Sequence, residues 1–168
     1  MAKQRSVKPM IQRKNASAAR VLAPKRILVP IDFSETSLYA LRYALTFARQ
    51  FSGSLYVLHV YEAPSFLAGY QTLPKTVAAP DSEVIQKIRI QLDSLAEAEN
   101  DSRVPIKTCV REGKAYDEIV RFAKAELVDL IIISTHGYTG LKHTLLGSTA
   151  ERVVRHAPCP VLVVRQPE

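Results

Sequence analysis

Five short runs rich in Val, Ile and Leu alternate along this chain with four segments of helical periodicity. The runs are residues 27–31, 55–60, 106–110, 130–133 and 161–164. The last two are continuously apolar, which is typical of strands that are buried on both faces of a parallel sheet. Strands that alternate with helices form βαβ units, and their right-handed crossovers build an open sheet with helices on both sides. The sequence therefore predicts one α/β domain with a five-stranded parallel sheet.

The first and fourth predicted helices have start and stop signals, and the second and third are placed by their apolar periodicity. Ser34 can cap the first helix, which should end near Gly53. The second is predicted over residues 82–99 and the third over 115–126. The fourth follows Gly147 and ends before a proline at position 158. Residues 61–81 contain three prolines and a glycine, so a long loop or a partial helix is expected there.

The net charge of +7 suggests nucleic acid, but its distribution argues against that partner. Eight of the 23 basic residues and no acidic residue lie in residues 1–26, which leaves 15 basic against 16 acidic residues in the remainder. We therefore expect residues 1–24 to be a solvated, disordered arm and residues 25–168 to form the domain. A basic arm could also contact nucleic acid or anionic lipid, or act as a transit peptide.

Several classes of protein are excluded by composition. No apolar run approaches the ~20 residues that a membrane span needs, and no apolar segment of a signal peptide follows the basic N-terminus. Two cysteines, Cys109 and Cys159, do not make a disulfide framework, and free thiols suit a reducing compartment. The sequence predicts a cytoplasmic protein that has no membrane partner.

The most informative stretch follows the fourth predicted strand, at the edge where open α/β sheets bind ligands. Residues 134–140 contain Gly137 and Gly140, and Gly147 stands just before the last helix. Residues 148–151, Ser-Thr-Ala-Glu, resemble a capping box. Glycine turns beside a helix N-terminus favour phosphate binding. The same residues could instead serve only to form turns and cap the helix.

Motifs of other nucleotide-binding proteins and of enzymes are absent from the sequence. It contains no G-x-x-x-x-G-K-[ST], no G-x-G-x-x-G after the first strand, no G-x-S-x-G and no H-E-x-x-H. No metal site is expected, and His59 is predicted to be a core or interface residue. Asp32, at the end of the first strand, could accept hydrogen bonds from a sugar or base, or could cap the following turn.

Residues 25–165 resemble the universal stress protein family. The first strand with Asp32 and Ser34, the sequence Leu58-His59-Val60, and residues 129–164 carry the resemblance. The ATP-binding members of that family share the motif G-x2-G-x9-G-[ST]. Gly137 and Gly147-Ser148 fit its second and third parts, and Ser134 replaces its first glycine. The first glycine of the motif could be needed for a positive φ, in which case Ser134 weakens ATP binding. Alternatively, the position could need only a small residue.

The resemblance implies a sheet in the order 3-2-1-4-5, with the strand reversal between strands 1 and 4. It also implies an adenine nucleotide site, expected to hold ATP with or without Mg²⁺. Its residues would be Ile31, Asp32, Val60, Ile133, Ser134, Gly137, Gly147, Ser148 and Thr149.

The function expected from the sequence is nucleotide binding in stress response or signalling, without rapid turnover. A homodimer through the fifth strand is implied as well, because members of the family commonly pair through it. Two alternatives stay open at this point. One is an interaction module that binds no nucleotide, and the other is a slow ATPase or phosphotransferase.

Overall fold

Five parallel strands and four helices alternate in the computed structural model, which describes residues 23–62, 82–99, 104–135 and 146–167. The strands are β1 (Arg26–Pro30), β2 (Ser54–Tyr61), β3 (Ile106–Glu112), β4 (Leu130–Ser134) and β5 (Val161–Val164). The helices are α1 (Glu35–Phe51), α2 (Ser82–Glu99), α3 (Ala115–Ala125) and α4 (Ser148–His156). The strand order is β3-β2-β1-β4-β5, and every neighbouring pair is parallel. The predicted fold class and strand order are confirmed.

The middle strands are buried on both faces, which explains their continuous apolar sequences. In β4, Ile131 and Ile132 point to opposite faces and both are fully buried. One face of the sheet packs on α1 and α2, through residues such as Leu41 and Leu92. The other face packs on α3 and α4, through residues such as Ile119. The two layers of core lie on either side of the sheet, as expected for βαβ units.

Most element bounds agree with the sequence prediction to within one or two residues. Ser34 caps α1 as predicted, because its side chain accepts a hydrogen bond from the Ser37 N–H. The predicted arm, residues 1–24, and the predicted loop over residues 61–81 lie almost entirely outside the described residues, so both stay predictions. None of the helices that the structure describes is both long and apolar enough to cross a membrane.

The two cysteines lie at opposite edges of the sheet, and both thiols are free. Cys109 belongs to β3, and Cys159 immediately precedes the residue that leads into β5. Burial raises the pKa of the Cys159 thiol to about 11 and raises that of Cys109 as well. Both side chains therefore stay protonated near neutral pH, when a thiol is a poor nucleophile.

Helix α3 ends in a left-handed residue that is not glycine. The Val128 N–H donates to the Ala123 carbonyl (2.9 Å), and Leu127 between them has a φ of 51°. This is the Schellman arrangement, whose left-handed position favours glycine because a Cβ costs about 1–2 kcal/mol there. Packing of the Leu127 side chain offsets little of this cost, because the residue is 64% exposed.

Replacing Leu127 by glycine should therefore stabilise the protein. Relief of the left-handed conformation outweighs the extra flexibility of glycine in the unfolded chain, so we expect a gain of about 0.5–1 kcal/mol in the free energy of unfolding. Urea denaturation measures the difference. The control, Leu127→Ala, keeps a Cβ and should show no such gain. Equal effects of the two substitutions would contradict the left-handed conformation of Leu127.

Candidate functional site

A cavity of about 290 Å³ opens at the carboxyl ends of β1 and β4, where the strand order reverses. Eight of the nine residues predicted for the site line it together: Ile31, Asp32, Val60, Ile133, Ser134, Gly147, Ser148 and Thr149. The ninth, Gly137, lies outside the described residues. The topology thus brings residues that are more than a hundred positions apart in the chain into one cavity.

The turn after β1 is closed by the Asp32 carboxylate. Its Oδ1 accepts hydrogen bonds from the Ser34 N–H (3.1 Å) and from the Ser34 hydroxyl. Asp32 therefore caps the turn, which was one of the two roles open to it, and it also borders the cavity. Phe33, the next residue, has a φ of 63°, an uncommon conformation for a bulky side chain.

His59 holds this turn against β2. The Ile31 carbonyl lies 2.8 Å from His59 Nδ1, and because a carbonyl can only accept, Nδ1 carries the hydrogen. The Phe33 ring packs on the imidazole with a centroid distance of 4.9 Å. His59 is half-buried, and its contacts link the second strand to the turn that carries Asp32. That it is a core or interface residue stays a prediction.

Burial lowers the pKa of His59, although the Ile31 carbonyl and the Asp32 charge oppose that shift. The unfolded chain therefore takes up a proton near the ordinary histidine pKa of about 6.5, while the folded protein resists protonation until a lower pH. Stability from this group is complete above about pH 6.5 and is lost as the pH falls towards the folded pKa.

Substitution His59→Gln should remove this part of the acid sensitivity, since the amide can donate to the carbonyl but does not titrate. We expect the free energy of unfolding of the wild type to fall relative to that of the variant as the pH drops below about 6.5. Urea denaturation at several pH values tests this. A difference between the two proteins that does not change with pH would contradict it.

Thr135 and Gly147, which follow β4 and precede α4, are joined by a hydrogen bond. The Gly147 N–H donates to the Thr135 carbonyl (2.7 Å), and the Thr135 N–H donates to the Val164 carbonyl (3.1 Å). Ser134 is the last residue of β4, pairs with Val164 across the ladder and is buried. It is not among the residues with a positive φ, so the serine at the first motif position imposes no left-handed strain.

The predicted capping box over residues 148–151 is wrong by one position. Gly147 is the N-cap of α4, with φ −68° and ψ 153°, and Ser148 is already helical. Ser148 cannot act as a cap because that role needs an extended residue, and Glu151 forms an ion pair with Arg155 instead (2.7 Å). Gly147 has no side chain to satisfy the first N–H groups of α4, whose first residues line the cavity.

Other lining residues were not identified from the sequence: Pro30, Ser37, Leu58, Ala115, Ile119, Thr135 and Ala150. Ala115 begins α3, and its N–H donates to Glu62 Oε1 (2.6 Å), so the carboxylate that follows β2 caps this helix. The position of Ala115 could have been inferred from the sequence, because in a parallel sheet each helix that follows a strand begins at the carboxyl edge. Pro30 and Leu58 belong to the first two strands, and Thr135 follows β4. Ser37, Ile119 and Ala150 belong to three different helices, and nothing in the sequence separates such lining positions from core.

The described part of the chain holds no group of three or more His, Cys, Asp or Glu side chains that could bind a metal ion.

Comparisons with known proteins agree with this geometry. The model of the Universal stress protein family matches residues 24–165. The chain is 35% identical to the universal stress protein MJ0531 of Methanocaldococcus jannaschii, an alignment that covers 86% of this chain and 84% of that protein. It is 31% identical to the universal stress protein YxiE of Bacillus subtilis, with 83% and 98% covered. The solved structure of MJ0577 matches with a TM-score of 0.72 and 30% identity over 86% of this chain and 97% of that one. The chain belongs to the universal stress protein family, because the family model and the relatives match most of its length and its fold is the same.

Proposed function

We propose that this protein binds ATP or a related adenine nucleotide in the cavity between β1 and β4, and that binding serves stress response or signalling. The observation that carries the proposal is the convergence in one cavity of an apolar wall, a carboxylate and a helix N-terminus. These three features match the three parts of a nucleotide: a base, a sugar and a phosphate chain.

The apolar wall suits the base. Ile31 follows β1, Val60 and Ile133 lie in the strands on either side of it, and all three line the cavity. Apolar walls with few polar groups are typical of small-molecule sites, where the polar groups fix the orientation of the ligand. Asp32 stands at the end of β1 beside this wall, where its carboxylate can accept hydrogen bonds from ribose hydroxyls.

The N-terminus of α4 suits the phosphates. The unsatisfied N–H groups and the positive end of a helix dipole attract anions. Gly147 lets a ligand approach the backbone, and Ser148 and Thr149 add hydroxyl donors in the first turn. Gly137 would contribute to the same phosphate site, as the resemblance to the family motif implies.

Two proteins of the same fold are known in complexes with adenine nucleotides. One is a universal stress protein in complex with cAMP, which is 23% identical to this chain with a TM-score of 0.61. The other is the universal stress protein of Archaeoglobus fulgidus in complex with dAMP, at 22% identity and a TM-score of 0.57. At these identities they support only the statement that the fold can hold an adenine nucleotide.

Ser134 should not disable binding. Because it lies in a strand and not in a left-handed conformation, only the small size of the first motif glycine could matter here. Serine is also small, so we expect Ser134→Gly to leave the affinity for ATP unchanged. A variant that binds while the wild type does not would show that the serine is the disabling change.

Identification of the ligand that copurifies tests the proposal. The protein purified without added nucleotide, denatured by heat and examined by mass spectrometry, should release an adenine nucleotide. No release, together with no binding of added nucleotide, would favour the interaction module. Phosphate release from ATP well above a blank, lost on Asp32→Ala, would favour the slow ATPase; we expect none, because the sequence has no Walker lysine.

We further propose a homodimer through β5. This strand ends the sheet, and its residues Val161, Leu162 and Val163 are only half-buried in the single chain. An apolar edge strand favours pairing, and a two-fold axis would join two such strands. Sedimentation should show a dimer at tens of micromolar protein, whereas a monomer at that concentration would contradict the proposal.

A further inference from the structure

The opposite edge of the sheet is formed by β3, which has a neighbouring strand on one side only among the described residues. The Leu55 N–H donates to the Pro105 carbonyl (2.9 Å), and the Gly113 N–H donates to the Tyr61 carbonyl (3.0 Å). Bonds to β2 therefore fall on the odd-numbered residues of this segment, since ladder bonds alternate along a strand. The N–H and C=O groups of Thr108 and Val110 point outwards, where no strand of the described part of the chain pairs with them.

A groove of about 270 Å³ runs along this edge and is mainly cationic. Arg89 of α2 and Lys107 and Arg111 of β3 line it, with one carboxylate, Glu126, at the end of α3. All three cationic residues are exposed. Lys107 and Arg111 are four positions apart in a strand, so both lie on the same face, with Cys109 between them.

Aromatic rings hold the two strand cations in place. Lys107 Nζ lies 5.7 Å from the centre of the Tyr56 ring, and Arg111 Cζ lies 5.7 Å from that of Phe122. These distances are within the range of cation–π attraction. The two rings pack edge to face with a centroid distance of 5.4 Å. The Phe122 ring therefore forms part of the groove lining, and each strand cation lies over an aromatic ring.

This pattern does not suit a second copy of the chain. In a two-fold pair of β3 strands centred on Cys109, Lys107 of one copy would face Arg111 of the other, and like charges opposite each other across a sheet are destabilising. The same charges suit carboxylates. A row of free backbone groups suits an extended chain, because strand addition satisfies N–H and C=O groups along its whole length.

We propose that the outer edge of β3 binds an acidic peptide segment, which adds to the sheet as a sixth strand. Its sequence would carry two acidic residues four positions apart, opposite Lys107 and Arg111. A small apolar residue would lie midway between them, opposite Cys109. Backbone hydrogen bonds to Thr108 and Val110 would supply affinity, and the two charge pairs would set the register and the selectivity for an acidic partner.

Three labelled heptapeptides with blocked termini test this by fluorescence anisotropy on the full chain. The first, Thr-Glu-Thr-Val-Thr-Glu-Thr, should bind in a saturable manner at low salt. The second, with lysine in place of both glutamates, should not bind. The third has the sequence of the first but methylated amide nitrogens at alternate positions, which removes its donors to the edge, and it should not bind either.

A variant protein with reversed charges tests the same surface, with the peptide kept constant. The double substitution Lys107→Glu with Arg111→Glu should weaken binding of the acidic peptide at least about tenfold, because two attractions become repulsions. Both side chains are exposed, and circular dichroism will report whether the fold is kept. The matched control is Arg155→Glu, an exposed cation on α4 away from the groove, which should leave the affinity unchanged.

Three results would overturn the proposal. The first is that the acidic peptide does not bind at millimolar concentration. The charges of the β3 edge would then serve only to prevent aggregation. Another is equal binding of the methylated peptide, which would exclude strand addition. The last is a single-stranded oligonucleotide that binds as well as the peptide and loses affinity in the same double variant, which would make this a surface for polyanions.

Discussion

Substitution of Gly147 by valine should lower the affinity for ATP at least about a hundredfold while the protein stays folded. A valine side chain at the N-cap of α4 would fill the space through which phosphates approach the backbone N–H groups. A hydrogen bond to a charged group contributes about 1.5–3 kcal/mol, so the loss of two such bonds accounts for the effect.

The fold should tolerate this change because Gly147 is extended, with a φ of −68° that any residue adopts. Valine therefore acts at this position through its bulk alone. We expect the free energy of unfolding to change by less than about 1 kcal/mol. Calorimetric titration with ATP and urea denaturation measure the two quantities.

Two further variants make the comparison stringent. Gly147→Ala adds one methyl group and should reduce the affinity by an intermediate amount. Gly113 has a φ of 143° and does not line the cavity, so Gly113→Ala should lower the stability by about 1–3 kcal/mol and keep the affinity of the folded protein. Undiminished ATP binding by Gly147→Val would show that α4 does not hold the phosphates.

The largest effect on stability is expected from Ile132→Ala. Ile132 lies in β4, between β1 and β5, and its side chain is fully buried against α1. Truncation removes buried methyl groups and leaves a cavity that the sheet cannot close, so the free energy of unfolding should fall by about 2–5 kcal/mol. Urea denaturation with an unchanged m-value would show that the loss is one of stability alone.

Ile90→Ala is the matched control, since the same atoms are removed from a side chain on α2 that is 57% exposed. We expect a change of less than about 0.5 kcal/mol, because an exposed position leaves no cavity and alanine favours the helix. Similar losses in the two variants would contradict the assignment of β4 to the centre of the core.

The sequence predicts the sheet well because its signals are local and strong. Continuous apolar runs such as β4 and β5 indicate burial on both faces, and Ser34 marks the start of α1 through a side chain that can reach its own helix. The cavity follows from the topology, since the carboxyl ends of parallel strands share one edge. For this reason Asp32 and Ser148 could be assigned to one site before any coordinates were known.

Other features of the structure depend on contacts that no local pattern encodes. Phe33 and Leu127 adopt left-handed conformations although neither is glycine, and the surrounding structure imposes those conformations. The bond from the Ala115 N–H to Glu62 joins residues 53 positions apart, so it depends on how α3 packs beside β2. The register of α4 was misjudged because Ser148 and Gly147 are both acceptable caps, and only the backbone decides between them.

Titration of the full-length protein with ATP, with and without Mg²⁺, tests the central claim most directly. After removal of any nucleotide that copurifies, the protein should bind ATP at one site per chain, and AMP should compete for that site because both share the adenosine part. No heat of binding at millimolar ATP, either for the wild type or for Ser134→Gly, would contradict the account and leave an interaction module that binds no nucleotide.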